Sequence, residues 1–255
     1  MGLPDMTPTI LVVEDEPAIQ ELLAVNLKHN GFLVVRAGSA EDAEAVIRAT
    51  LPDLRQEGYE AVFLAVGAPE GLNLAIPGHE AKGVVDSLDF LRQYNIRGSV
   101  PVGKNVVVIG GGNAAIDAAR TALRLGAQKV TVVYRRTREQ MPAYVEEIEE
   151  AQQEGIELRT LVAPEEFVVR DGRVTGLVCR QMTLGEFDRS GRRRAEADDE
   201  QALETIPCDQ AILAVGQRLD ARNVLGDLEV PLAGGWLQAD PVTGQTAIPW
   251  LFAGG

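Results

Sequence analysis

Gly110, Gly112 and Ala115 occupy the three small-residue positions of a dinucleotide-binding turn, within Val106-Val107-Val108-Ile109-Gly110-Gly111-Gly112-Asn113-Ala114-Ala115-Ile116-Asp117. The first glycine suits a tight turn, and the second lets backbone approach a pyrophosphate. The third small residue lets helix and strand pack closely. Backbone N–H groups opening the helix would face the phosphates. A bare glycine triplet also marks ordinary tight turns, so its flanks decide the reading. Val106 to Ile109 is a β-branched run suited to a strand covered on both faces. Ala115 to Leu125 reads as a helix that Gly126 can cap. The candidate cofactor contacts are therefore Gly110, Gly111, Gly112, Asn113, Ala114 and Ala115.

A second group follows the strand Lys129–Tyr134. An NAD site usually carries Asp or Glu there, to bond the ribose 2′-hydroxyl. Here Arg135 and Arg136 stand in that place, with Arg138 close by. A guanidinium fork suits the 2′-phosphate of NADP, while a carboxylate would repel it. One charge-assisted hydrogen bond contributes about 1.5–3 kcal/mol, which favours NADP by about tenfold or more. The bland alternative is three arginines decorating a loop. A basic trio in so acidic a chain weighs against it.

The elements around these groups follow a strand–helix alternation. Ile10 to Val13 reads as a strand ending in Glu14-Asp15-Glu16, and Pro17 suits the first turn of a helix. Ile19, Leu22, Leu23 and Leu27 line one helical face, and Gly31 stops it. Phe32 to Val35 is a second strand, Ser39 caps a second helix, and Pro52 ends that helix. Ala61 to Val66 is available as a third parallel strand beside the first two. After Tyr134, Pro142 starts a helix with Tyr144, Ile148 and Ala151 inward and Glu146, Glu147, Glu149 and Glu150 on a solvated face. Ile156 to Leu161 is a strand. Asp171-Gly172 joins a hairpin between Phe167–Val169 and Val174–Cys179. Residues 185–204 read as a mobile polar loop carrying Arg189 and Arg192 to Arg194. Gln210 to Val215 is a further buried strand ending at Gly216.

The chain has 255 residues, 45% of them hydrophobic, enough for one or two globular domains. A net charge of −14 argues against nucleic acid or an anionic membrane as partner. Cys179 and Cys208, the only cysteines, are too few for an iron–sulfur cluster held by cysteine alone and imply a reducing compartment. The longest apolar run, Ala61 to Ala68, is too short to span a bilayer. No signal peptide is evident, so the cytoplasm is expected. His29 and His79 have no spaced partners and read as structural or surface residues. No metal site is expected.

Two resemblances organise the rest. Ile10-Leu11-Val12-Val13-Glu14-Asp15-Glu16-Pro17 and Asn30-Gly31-Phe32 resemble the start of a bacterial response-regulator receiver domain, over residues 8–54. In that family the acidic pair, here Glu14 and Asp15, helps bind magnesium beside a phosphorylated aspartate. Ala65 falls at the acceptor position and has no carboxylate, which leaves Glu14 and Asp15 as a solvated strand-end cluster. From residue 55 to 255 the chain resembles the glutamate synthase small-chain family of NADPH-dependent, FAD-containing oxidoreductases. The carriers are Tyr59 to Ala68, Ile76-Pro77-Gly78, the glycine turn, Tyr134-Arg135-Arg136, Met141-Pro142, Gly191-Arg192-Arg193-Arg194 and Leu251-Phe252-Ala253-Gly254-Gly255. The resemblance implies an NADPH domain inserted into a discontinuous FAD domain, and puts Gly216 near the nicotinamide side of the site.

The family's own FAD glycine fingerprint has no counterpart in residues 1–57. Glu14-Asp15-Glu16 stands where a phosphate would be cradled, and like charges near 4 Å cost about 4 kcal/mol each at an effective dielectric near 20. The chain also stops at Gly255, before the aspartate with which that family holds FAD. The expected fold class is α/β with parallel Rossmann-like βαβ sheets, an NADP-binding domain inserted in an incomplete FAD-type or receiver-like α/β domain. The expected boundaries are a receiver-like fragment over 1–54, a residual FAD-domain strand and linker over 55–100, the NADP(H) domain over 101–216 and a return segment over 217–255. The expected function is NADP(H) binding without FAD and without full catalysis, with a small-molecule dinucleotide as partner and the electron acceptor unassigned. The alternatives are a receiver-like signalling module, or a fold chimera with no selected function.

Overall fold

The structure, a computed structural model, describes residues 9–13, 17–37, 61–64, 68, 70–187, 193–219, 225 and 228–254. Its contacts divide the chain into two compact units, Glu70–Gln217 and a discontinuous one made of Met1–Pro69 and Arg218–Gly255.

The first strands of the discontinuous unit are β1 (Thr9–Val13) and β2 (Leu33–Ala37), paired in parallel around helix α1 (Pro17–His29). The strand β3 is described over Val62–Leu64, within the Ala61–Val66 expected, and Ala65 and Val66 lie outside the described residues. It pairs with β17 (Leu251–Ala253) in parallel, and among the described residues it does not join β1 or β2. Leu64, Leu225, Val230 and Leu251 form the buried cluster of this unit. The inward stripe of α1 also differs from expectation. Ala24 is buried, whereas Leu22 and Leu23 are exposed. A pattern of leucines alone does not say which face finds a partner. The hairpin strands β15 (Leu232–Ala233) and β16 (Trp236–Leu237) complete the unit. The expected helix after Ser39, the Glu14-Asp15-Glu16 turn and Ala65 lie outside the described residues.

The Glu70–Gln217 unit begins with β4 (Glu70–Gly71), and β14 (Gln217–Arg218) falls at the boundary between the two units in the chain. The centre of the Glu70–Gln217 unit is a five-stranded parallel sheet of β5 (Val84–Asp86), β6 (Asn105–Ile109), β7 (Lys129–Tyr134), β8 (Glu157–Thr160) and β13 (Gln210–Leu213). The strand order is β5-β13-β6-β7-β8. Val84–Asp86 and the helix after it belong to this sheet, although their sequence reads as linker.

Helices α2 (Ser87–Arg97), α3 (Asn113–Arg124) and α4 (Val145–Gln153) cover one face. Asp86 caps α2 by accepting N–H bonds from Leu88 at 2.8 Å and Asp89 at 3.2 Å, and Gly98 at φ +69° ends it. Alternation along the strands sorts the core. Val106, Val108, Val130, Val132, Tyr134 and Ile212 meet Phe90, Ile116, Ile148 and the alanines of α3. Val107, Ile109, Val133, Ala211 and Leu213 face the other way, onto an antiparallel layer.

That layer contains β9 (Val162–Arg170), β10 (Arg173–Phe187), β11 (Arg193–Ala197) and β12 (Glu204–Pro207). The turn between β9 and β10 has positive φ at both Asp171 (50°) and Gly172 (73°), as its Asp-Gly sequence predicts. Cys179 and Cys208 are both buried in this layer's core. The expected loop over 185–204 is largely strand among its described residues, and Arg189 and Arg192 lie outside them. β10 runs on to Phe187 and pairs with β11, which carries Arg193 and Arg194, so much of the segment is an antiparallel ribbon. Its polarity misled because both faces of a projecting ribbon meet water, and the apolar half of the alternation is lost.

Candidate functional site

The glycine turn joins the C-terminal end of β6 to α3. Gly110 has φ +151°, and a Cβ there would lie 2.3 Å from the Ala214 carbonyl oxygen, so only glycine fits. Its N–H donates to the Val133 carbonyl, and Ala214 N–H donates to Ile109. The turn is thus tied to both neighbouring strands. Gly111 is buried, because a Cβ there would come 2.5 Å from the Tyr134 ring. Gly112 is different. Its φ of −91° suits any residue, and a Cβ would meet nothing nearer than Pro142 Cγ at 3.9 Å. Space stands open beside the second glycine, as close backbone approach by a phosphate requires.

Gly112 is the N-cap of α3, with no side-chain cap and no acidic residue in the first turn. The opening N–H groups of a helix have no intrahelical partner, and they form an anion-binding end. Ala115 is completely buried, which lets α3 pack closely on the sheet, while Ala114 is half-buried. Asn113 is exposed, and its Oδ1 accepts the Tyr144 N–H at 3.0 Å. Ala143 N–H donates to the Gly111 carbonyl at 3.1 Å, and the Tyr134 hydroxyl donates to the Gln140 carbonyl at 2.8 Å. The segment between β7 and α4 is therefore pinned beside the turn. Tyr144, expected inward, is the exposed N-cap of α4; only Ile148 and Ala151 are buried on that helix.

The three arginines have three different surroundings. Arg135 is exposed at the end of β7. Arg136 is buried, and its Nε donates to the Arg193 carbonyl at 2.8 Å. Arg138 lies in a short 3-10 turn, Arg138–Gln140, with Nη2 3.4 Å from Glu149 and its buried Nε without a partner. Gly216 follows β13 at φ +124°, where a Cβ would come 3.1 Å from Leu72 Cδ1, and its carbonyl accepts the Leu72 N–H. Because β13 and β6 are parallel neighbours with Leu213 opposite Ile109, Gly216 and Gly110 leave the same edge of the sheet. That edge, outside the carboxyl ends of the strands, is where open α/β sheets bind ligands.

An ion-pair network ties α3 to α4. Arg120 reaches Glu147, Glu150 at 2.8 Å and Glu154 at 2.7 Å, and Arg124 also reaches Glu154 at 2.7 Å. Two members of the expected solvated face, Glu147 and Glu150, thus face a cation from the neighbouring helix. Hydrogen bonds from Arg120 hold the Glu154 carboxyl below its ordinary value of 4.5. Asp117 is pushed the other way, by partial burial first and then by the Glu147 charge. His29 is exposed, and His79 is half-buried with Nδ1 2.9 Å from the Ile76 carbonyl. Among the described residues, no group of His, Cys, Asp or Glu side chains could hold a metal ion. No described helix is long and apolar enough to cross a membrane.

Sequence reasoning missed two features. Tyr134 packs its ring on Gly111, which the aromatic at the strand end could have signalled. Arg193 meets Arg136, a non-local contact with no signal in either segment.

Comparisons with known proteins follow the same geometry. Residues 16–255 match the family described as pyridine nucleotide-disulphide oxidoreductase. The NADP(+)-dependent formate dehydrogenase subunit beta of Moorella thermoacetica is 40% identical over 206 residues, covering 80% of this chain and 29% of that protein. The glutamate synthase [NADPH] small chain of Escherichia coli K12 is 36% identical over 223 residues, covering 80% of this chain and 46% of that protein. The chain thus spans less than half the length of either. Among solved structures, Mycobacterium tuberculosis FprA in complex with NADPH superimposes with a TM-score of 0.74 at 19% identity. That match covers 98% of this chain and 79% of FprA. It shows a shared fold of parallel Rossmann-like sheets. The family match takes in most of residues 8–54, and the comparisons give the receiver resemblance and the chimera no support.

Proposed function

The chain belongs to the pyridine nucleotide-disulphide oxidoreductase family, and from that premise we propose that its Glu70–Gln217 unit binds NADP(H) at the glycine turn. The observation that carries the reading is the open space beside Gly112, at an uncapped helix N-terminus whose first turn holds no acid. The pyrophosphate would lie against Gly110, Gly112 and the first N–H groups of α3, with Asn113 and Ala114 lining its path. Gly111 and Ala115 are buried and act by shaping the turn. The exposed Arg135 would take the 2′-phosphate. Arg136 and Arg138 form the wall of that corner, and Gly216 bounds the nicotinamide end. The names of two relatives, one NADP(+)-dependent and one carrying [NADPH], support the choice of nucleotide.

Bound there, the nicotinamide would supply a hydride to an acceptor beside it. The chain's own part is to bind and orient. FAD fits its residues less well. In the sequence, Glu14-Asp15-Glu16 stands where the glutamate synthase small-chain family carries its FAD glycine turn, and three carboxylates repel a pyrophosphate. The chain is therefore a nucleotide-binding portion of a glutamate synthase small-chain-like oxidoreductase without flavin of its own.

Calorimetric titration with NADPH, together with an absorption spectrum of the purified protein, tests both halves. Saturable one-site binding and a spectrum free of flavin bands are expected. No heat of binding would overturn the nucleotide assignment, and a stoichiometric flavin band would overturn the second half.

A further inference from the structure

The ribbon β10–β11 is tied to the arginine corner by one direct hydrogen bond and by a second connection relayed through Leu161. Arg136 Nε donates to the Arg193 carbonyl at 2.8 Å. The Arg136 carbonyl accepts the Leu161 N–H at 3.0 Å, and the Leu161 carbonyl accepts the Met182 N–H at 2.8 Å. Leu161, between β8 and β9, has φ +56°, a left-handed conformation unusual for leucine. Such strain costs about 1–3 kcal/mol and persists where the surroundings over-determine it. Here it turns the chain so that both hydrogen bonds form.

Arg193 spends its side chain inside the ribbon, with Nε on the Gly185 carbonyl at 2.9 Å and Nη2 on Leu184 at 2.6 Å. Successive side chains of a strand point to opposite faces, so Arg194 projects from the other face. β11 is the edge strand of its sheet. Arg194 is exposed, as is Arg135, and neither has an ion-pair partner among the described residues. The bond to the Arg193 carbonyl is 2.8 Å, so covalent geometry keeps the Arg194 Cα within about 6 Å of Arg136 Nε. Arg135 is the residue adjoining Arg136. Arg194 therefore leaves the backbone beside the corner that Arg135 adjoins.

We propose that Arg194 of the ribbon completes the 2′-phosphate subsite with Arg135, and that Arg136 is a positioning residue whose hydrogen bond to Arg193 holds the ribbon there. This rests on the NADP(H) reading above. It makes nucleotide choice depend on two segments distant in sequence. Neither exposed arginine has an ion-pair partner among the described residues, and a dianionic phosphate would give both one.

The test uses adenosine 2′,5′-bisphosphate and adenosine 5′-monophosphate, which differ only in the 2′-phosphate, titrated against the whole chain. Arg194→Gln is expected to weaken the bisphosphate by about tenfold, the loss of one charge-assisted contact, and to leave the monophosphate unchanged. Arg170→Gln, at the far end of the β9–β10 hairpin, controls for net charge and should change neither. In an Arg136→Gln background, the further effect of Arg194→Gln should shrink, because the ribbon is no longer held. Far-UV circular dichroism and the melting temperature should not move in Arg194→Gln. If wild type prefers the bisphosphate and Arg194→Gln keeps that preference in full, the ribbon inference fails alone. If wild type shows no preference between the two ligands, the NADP(H) reading itself fails.

Discussion

Replacing Gly112 by alanine separates binding from folding at the turn. The backbone there has φ −91° and ψ 176°, and the nearest atom to a new Cβ is Pro142 Cγ at 3.9 Å. The folded state can therefore accept the methyl without strain. Alanine lowers the entropy of the unfolded chain, a gain of about 0.4–1 kcal/mol. It is a poorer N-cap than glycine, a loss of about 0.5–1 kcal/mol. The terms oppose, so stability should stay within about 1 kcal/mol of wild type. Binding should respond differently. The methyl enters the space a pyrophosphate needs, and pushing a phosphate off the helix end loses one or two charge-assisted hydrogen bonds. At about 1.5–3 kcal/mol each, NADPH affinity should fall by about tenfold to more than a hundredfold. Calorimetry at one temperature, paired with urea denaturation of both proteins, reads the two effects apart. NADPH affinity unchanged in a fully folded Gly112→Ala protein would refute the assignment of the pyrophosphate to this turn.

Other positions respond by different physics. Gly110→Ala must leave φ +151° or collide with the Ala214 carbonyl, so a loss of at least about 2 kcal/mol in urea denaturation is expected; a wild-type midpoint would contradict the geometry. Arg120→Met removes the cation facing Glu147, Glu150 and Glu154, and should destabilise by about 1 kcal/mol at pH 7. Glu154 has a lowered carboxyl pKa in the folded state, so its contribution is present above 4.5 and lost as pH falls through the folded value. The gap between wild type and Arg120→Met should therefore narrow on acidification, and a gap that widens would reverse the sign argued here. Burial pushes the thiols of Cys179 and Cys208 up to about 12, so neither should react with Ellman's reagent at pH 8 until denaturant is added; rapid labelling of the native protein would place them elsewhere.

Much of the Glu70–Gln217 unit is legible from local pattern. Val106 to Ile109 and Lys129 to Tyr134 are strands because uninterrupted β-branched runs suit a sheet covered on both faces. Gly110 signals the turn because only glycine tolerates its backbone there. Asp171-Gly172 signals the hairpin because aspartate and glycine both tolerate the positive φ that a two-residue turn requires. What is not legible depends on partners distant in the chain. Arg135 and Arg136 are neighbours of identical type, yet one is exposed and the other buried against Arg193, and no local pattern separates them. Glu147 and Glu150 read as a solvated face because Arg120 comes from another helix. Leu22 and Leu23 read as inward because leucine periodicity carries no information about which face is covered. The ribbon of β10 and β11 lacked an alternation to reveal it.

The most direct test of the account is the ratio of NADPH to NADH affinity in wild type and in Arg135→Gln, measured by calorimetry at fixed ionic strength. Wild type should prefer NADPH by about tenfold or more, and Arg135→Gln should lose about tenfold of that preference through NADPH alone, with NADH affinity unchanged. Equal affinity of wild type for the two nucleotides would contradict it.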